Sequence, residues 1–135
     1  MTERVDWEDL RAEAAEAAAR SYAPNSKTLI GAAALLDDGT ILTGCTVESS
    51  SAGLGLCAEC GLVSGLYDSG GGRFVGIAIV DAEGRSLTPC GRCRQLLIEA
   101  GGPEVLIDGE DGPRRLDSLL PYASPNEELG ETSGL

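Results

Sequence analysis

Trp7, Leu10, Ala14, Ala17 and Ala18 recur at three- and four-residue spacing, with Asp6 in front of them as an N-cap. This spacing predicts an amphipathic helix running to about Tyr22 and stopped by Pro24. The period then changes. Residues 28–36 (TLIGAAALL) form a short apolar run bounded by turn residues, which predicts a buried strand. Asp38-Gly39 predicts a hairpin turn, with 41–45 as the returning strand and Cys45 in the core. A Ser- and Gly-rich loop from Ser49 to Gly55 leads into Cys57-Ala-Glu-Cys60 and a helix ending near Gly70-Gly71-Gly72. Residues 74–81 (FVGIAIVD) read most clearly as a buried strand. A second cysteine-bearing helix begins at Pro89-Cys90 and ends before Gly101-Gly102. A strand over 104–108 and a short helix over 116–120 follow. Helix, hairpin and two helix–strand units predict an α/β fold, a three-layer α/β/α sandwich with a mixed sheet. We expect one domain over residues 1–125 and a frayed polar tail over 126–135.

Composition narrows the chemistry. The 135 residues include 22 acidic and 10 basic side chains, a formal charge of −12, and no histidine. Without imidazole, Ser-His-Asp and Cys-His nucleophile systems, HExxH zinc sites and histidine-ligated haem are excluded. Lys27 is the only lysine, so the chain lacks the clustered positive charge that nucleic-acid phosphates require. No apolar run approaches the ~20 residues of a membrane span, and MTERVDWEDL does not read as a signal peptide. Five cysteines in this context read as cytoplasmic thiols, better suited to metal than to disulfides.

Four of those cysteines form two C-x-x-C pairs, Cys57/Cys60 and Cys90/Cys93, separated by 29 residues that include a whole strand. Residues three apart on a helix share a face, so either pair could offer two thiolates to one metal. A closed four-cysteine structural zinc site is the simplest reading. Glu59 inside the first pair and Pro89 before the second point elsewhere. Cys57-x-Glu59 … Pro89-Cys90-x-x-Cys93 is the zinc-deaminase signature in its three-cysteine form. Three thiolates on Zn2+ leave the fourth position for water, and a carboxylate beside that water can move its protons. The centre would carry a net charge of about −1, which helix N-termini at the cysteines offset in part. Cys60 reads as a small buried apolar residue rather than a ligand.

The stretches Gly31-Ala-Ala-Ala, Gly44-Cys-Thr-Val-Glu48, Cys57-Ala-Glu and Pro89-Cys-Gly-Arg-Cys-Arg-Gln95, with Leu119-Leu120-Pro121, resemble the small homotetrameric cytidine deaminases. The resemblance implies a cytidine deaminase-like fold, zinc on Cys57, Cys90 and Cys93, and Glu59 as proton shuttle. It further implies hydrolysis of the 4-amino group of a cytosine nucleoside, a role in pyrimidine salvage, and active sites shared between subunits. Substrate contacts would fall at Thr28, Thr46, Glu48, Ala58 and Ser124. Here the chain departs from the family. Thr28, Ala52 and Ser124 stand where family members carry aromatic residues, and Thr46 stands where they carry asparagine. An arginine is common at the position of Cys60, and Arg92 or Arg94 is the candidate to replace its charge. A pocket stripped of aromatics suggests a bulkier or sugar-modified nucleoside, as in the blasticidin S deaminases, which share Pro-Cys-Gly-Arg-Cys-Arg-Gln. The rival of another class is a non-catalytic, zinc-stabilised structural or regulatory homologue. Glu59 separates the two, since a structural site needs no carboxylate between its ligands.

Overall fold

The computed structural model describes residues 5–121. The boundary expected at 125/126, the tail and Ser124 lie outside them. Helix α1 (Trp7–Ala18) is followed by strands β1 (Ile30–Leu36) and β2 (Ile41–Cys45), and then by α2 (Ala58–Asp68). Next come β3 (Phe74–Asp81), α3 (Gly91–Gly101), β4 (Leu106–Ile107) and β5 (Arg114–Arg115). The strands form one mixed sheet in the order β2-β1-β3-β4-β5. Among the described strands only the β3–β4 pair is parallel, as expected for strands joined through the α3 crossover.

Alternation along β1 builds the three layers. Ala32, Ala34 and Leu36 face α2 and α3 in a core with Leu62, Leu66, Ile77 and Leu97. Ala33 faces the opposite way, into a smaller core with Leu10, Ala14 and Val80 beneath α1. The alanine face of α1 has a steric reason. A Cβ at Gly31 would lie 2.1 Å from the Ala14 carbonyl oxygen, so helix and sheet meet backbone to backbone and larger residues would not fit. At the far edge, buried Asp108 accepts from Arg11 Nε of α1 at 2.6 Å and from the Ser86 hydroxyl at 3.3 Å.

Several local expectations change. Asp6 caps α1 through its bond from Asp9 N (3.1 Å), but the helix stops at Ala18 rather than Tyr22. The Ser21 hydroxyl bonds the Ala18 carbonyl at 2.8 Å, and the Tyr22 backbone leaves the helix to bridge Val47. The first strand begins at Ile30, because Thr28 belongs to the preceding loop, where its N–H donates to Ser26 Oγ at 3.0 Å. Cys45 is half-buried, since β2 is an edge strand. The expected strand over 104–108 shrinks to β4, and Leu116–Ser118 is a single 3-10 turn.

Candidate metal centre and active site

Two helix starts bring the cysteines together. Cys57 is the N-cap of α2, Cys90 is the N-cap of α3, and Cys93 lies in the first turn of α3. Their three sulfur atoms lie within 4.8 Å of one another. Three ligands on a tetrahedral zinc with ~2.3 Å bonds would sit about 3.8 Å apart, so the cluster fits that ion after a small contraction. Its electrostatics agree. Burial first, then the Glu59 carboxylate, pushes the Cys93 thiol far above its ordinary value, and burial likewise raises Cys57. At Cys90 burial also works upward, but the hydrogen bond from the Cys93 backbone and the neighbouring thiols outweigh it and lower the net value. Three such thiols cannot ionise together without a cation between them, and a dication supplies that. Cys60 is not in the cluster. Its sulfur accepts from Arg92 Nη1 at 3.5 Å, which brings one guanidinium from α3 across to the start of α2. Arg94 is committed elsewhere, to the carbonyls of Pro89 (2.7 Å) and Leu119 (2.8 Å). It pins the segment before α3 to the 3-10 turn capped by Leu119.

Glu59, in the first turn of α2, is only 4% exposed. Burial raises its carboxyl above the ordinary carboxylate range, offset in part by its own backbone N–H and by Cys93. Glu59, Cys57 and Cys90 line one cleft of about 390 Å³. Ile30, Val47, Leu56, Ile79 and Leu87 give that cleft apolar walls, and Thr46 and Glu48 are among its polar groups. Thr28 is exposed on the preceding loop and does not line the cleft. Ala58 is fully buried and packs its carbonyl against Gly44.

Residues 5–108 match the cytidine and deoxycytidylate deaminase zinc-binding region. Over 125 residues the chain is 54% identical to a cytidine deaminase of Mycobacterium tuberculosis, covering 93% of this chain and 94% of the relative. The chain belongs to the cytidine deaminase family. Its fold matches the crystal structure of the M. tuberculosis cytidine deaminase with a TM-score of 0.86 at 56% identity, over 88% of this chain and 97% of that one. The cytidine deaminase of Mycobacterium leprae gives 0.85 at 50% identity, over 87% and 99%. The mixed five-stranded sheet with three helices is thus the family fold, and the three-cysteine cluster of this deaminase fits its zinc.

Asn25 and Ser26 were missed from sequence. Both bond the Glu48 carboxylate, through Asn25 N at 2.9 Å and Ser26 N at 3.1 Å. The turn residues after Pro24 announce a loop, but nothing local names a partner more than twenty residues away. The cleft-lining role of Leu56 and Val47 was also unannounced. Each is a single apolar residue in irregular chain, and they meet only through the Val47–Leu56 bridge.

Proposed function

We propose that this chain catalyses the zinc-dependent hydrolytic deamination of cytidine- or deoxycytidine-type nucleosides, giving the uridine product and ammonia. Cys57, Cys90 and Cys93 hold the metal, and Glu59 moves the protons. The observation that carries this reading is a buried carboxylate in the same cleft wall as convergent thiols. When bound, zinc supplies a Lewis-acid position for the attacking water. Glu59 accepts a proton from that water as its oxygen bonds to C4 of the pyrimidine. It passes that proton to the ring nitrogen and then carries the remaining proton of the new C4 hydroxyl to the amine, so that C4=O forms as the C–N bond breaks and neutral ammonia leaves. Burial suits the carboxyl to both halves of this cycle, because a raised value brings its proton affinity closer to that of the groups it serves. The N-termini of α2 and α3 and the guanidinium of Arg92 temper the charge of three thiolates.

The apolar walls suit a pyrimidine ring, while Thr46 and Glu48 suit sugar hydroxyls; the backbone at Ala58, Thr28 from outside the cleft lining, and Ser124 complete the proposed contacts. An anionic protein with Glu48 at the cleft favours nucleosides over nucleotides. Among the described residues no aromatic side chain lines the cleft, which favours a bulkier or sugar-modified cytosine nucleoside over cytidine itself. An ultraviolet and ammonia-release assay across cytidine, deoxycytidine, cytosine, modified cytidines and blasticidin S tests both points. Turnover of cytosine nucleosides is expected, with the bulkier ones faster. Inactivity on all of them would overturn the enzyme reading, and cytidine as the best substrate would remove the shifted preference.

We further propose a homotetramer with shared active sites, acting in pyrimidine salvage in the cytoplasm. Tyr22, Val47, Leu54 and Leu56 are exposed apolar residues, 59%, 42%, 71% and 49% accessible, and Val47 and Leu56 reach the cleft itself. A second copy seated there would cover them and wall the cleft. Thiolate ligands also suit a reducing compartment. Light scattering should give a tetramer; a stable, fully active monomer at micromolar concentration would contradict the shared sites.

A further inference from the structure

Glu48 is not loose in the cleft wall. Its Oε1 accepts from the backbone N–H groups of Asn25 (2.9 Å) and Ser26 (3.1 Å), and its Oε2 accepts from the Ser26 hydroxyl. The Ser26 oxygen is itself fixed, since it accepts from Thr28 N at 3.0 Å. The Asn25 side chain holds the other flank by donating to the Ser49 carbonyl at 3.0 Å. A carboxylate offers about four acceptor positions, and this loop fills three, leaving one on Oε2. The bond from the Ser26 hydroxyl, then those from the backbone N–H groups, holds the Glu48 carboxyl below the ordinary carboxylate range, with Lys27 adding to the effect. Glu48 is therefore a charged acceptor with one vacant position beside a nucleoside-sized cleft.

We propose that Ser26 is a positioning residue for sugar recognition: it latches Glu48 so that the remaining acceptor of the carboxylate meets a ribose hydroxyl. This rests on the deaminase reading above. An acceptor already ordered before binding loses little freedom when the hydroxyl arrives. Without the Ser26 hydroxyl, Oε2 is free to turn toward water, and a sugar hydroxyl must then order it. The latch therefore acts on affinity for hydroxylated sugars and not on the chemistry at C4.

The test compares cytidine with 2′,3′-dideoxycytidine on the zinc-loaded protein and its Ser26→Ala and Ser26→Thr variants. A single net hydrogen bond corresponds to roughly three- to tenfold in affinity. Ser26→Ala should raise KM for cytidine by that factor with kcat retained. The KM advantage of cytidine over the dideoxy analogue should shrink by the same factor, and Ser26→Thr, which keeps the hydroxyl, should restore it. Equal KM shifts for both nucleosides, or an unchanged advantage, would overturn the latch. Loss of kcat alone would also overturn it. If the unsubstituted protein is inactive on these two and on every other cytosine nucleoside of the panel above, the deaminase reading itself fails, and the role of Ser26 falls with it.

Discussion

Gly44 sets the distance between the sheet and the helix that carries Cys57 and Glu59, and Gly44→Ala should damage the site from outside it. A Cβ at this position would lie 2.3 Å from the Ala58 carbonyl oxygen, more than 1 Å inside the 3.4 Å at which ordinary contact begins. The obstacle is backbone, so no side chain can rotate away. Gly61 faces Gly44 from α2, and a Cβ there would come within 3.2 Å of the Gly44 Cα, which leaves no slack on the helix side. The start of α2 must therefore move outward by about 1 Å, and a misplacement of that size costs roughly 10²-fold in rate when it disorders reacting groups. Overpacking of this kind also costs ~1–3 kcal/mol of stability. For a domain of this length that lowers Tm by roughly 5–10 °C. Calorimetry, chelator competition for zinc and kcat on a cytosine nucleoside should all register the change. Gly53→Ala is the matched control, because a Cβ there meets nothing within 4 Å. A Gly44→Ala protein with native Tm, zinc affinity and kcat would refute the idea that glycine packing places the site.

Two other perturbations separate competing roles. Cys60→Ser should keep one zinc per chain, whereas Cys90→Ser should lose it, because Cys60 stands outside the sulfur cluster; metal analysis that finds Cys60→Ser stripped would establish the four-cysteine site instead. Asp81 accepts from Glu83 N (3.0 Å), Arg85 N (2.9 Å) and Arg85 Nε (2.9 Å), and these bonds, the Arg85 backbone first, lower its carboxyl. A lowered folded value gives stability that is complete above the ordinary value of 3.8 and is lost as pH falls through the folded one. Tm should therefore fall as pH drops below about 4, and Asp81→Asn should flatten that limb. An identical acid limb in the variant would remove Asp81 from the explanation.

What the chain reveals before folding depends on whether a signal is local. β2 and β3 fall on the expected residues, Ile41–Cys45 and Phe74–Asp81. The first follows a turn whose Gly39 takes φ 91°, and the second is buried along nearly its whole length, so both signals are contained in the segment itself. Helix periodicity extends α1 to Tyr22, but the Tyr22 backbone pairs with Val47, a long-range contact that overrides it. β5 is two exposed arginines on the sheet edge and carries no apolar pattern to find. The same division holds at the site. Cys57, Glu59, Pro89, Cys90 and Cys93 were legible because metal chemistry demands particular residue types at fixed helical spacing. The Glu48 latch was not, since serine and asparagine after a proline describe any turn. The resemblance assigns Thr28 to the substrate contacts, and its exposed position on the loop, outside the cleft lining, follows from bonds to Ser26 that only the folded backbone creates.

The central claim is that a carboxylate and three thiolates share one reaction centre, and Glu59→Gln tests it most directly. Glutamine keeps the size and polarity of Glu59 but cannot carry the proton. The measurement is zinc content and cytosine-nucleoside turnover on the same samples of both proteins. Zinc at one per chain in both, with turnover lower by at least ~10²–10⁴-fold in the variant, is the predicted result. Full zinc and near-normal turnover in Glu59→Gln would show that another group moves the protons and would contradict the mechanism.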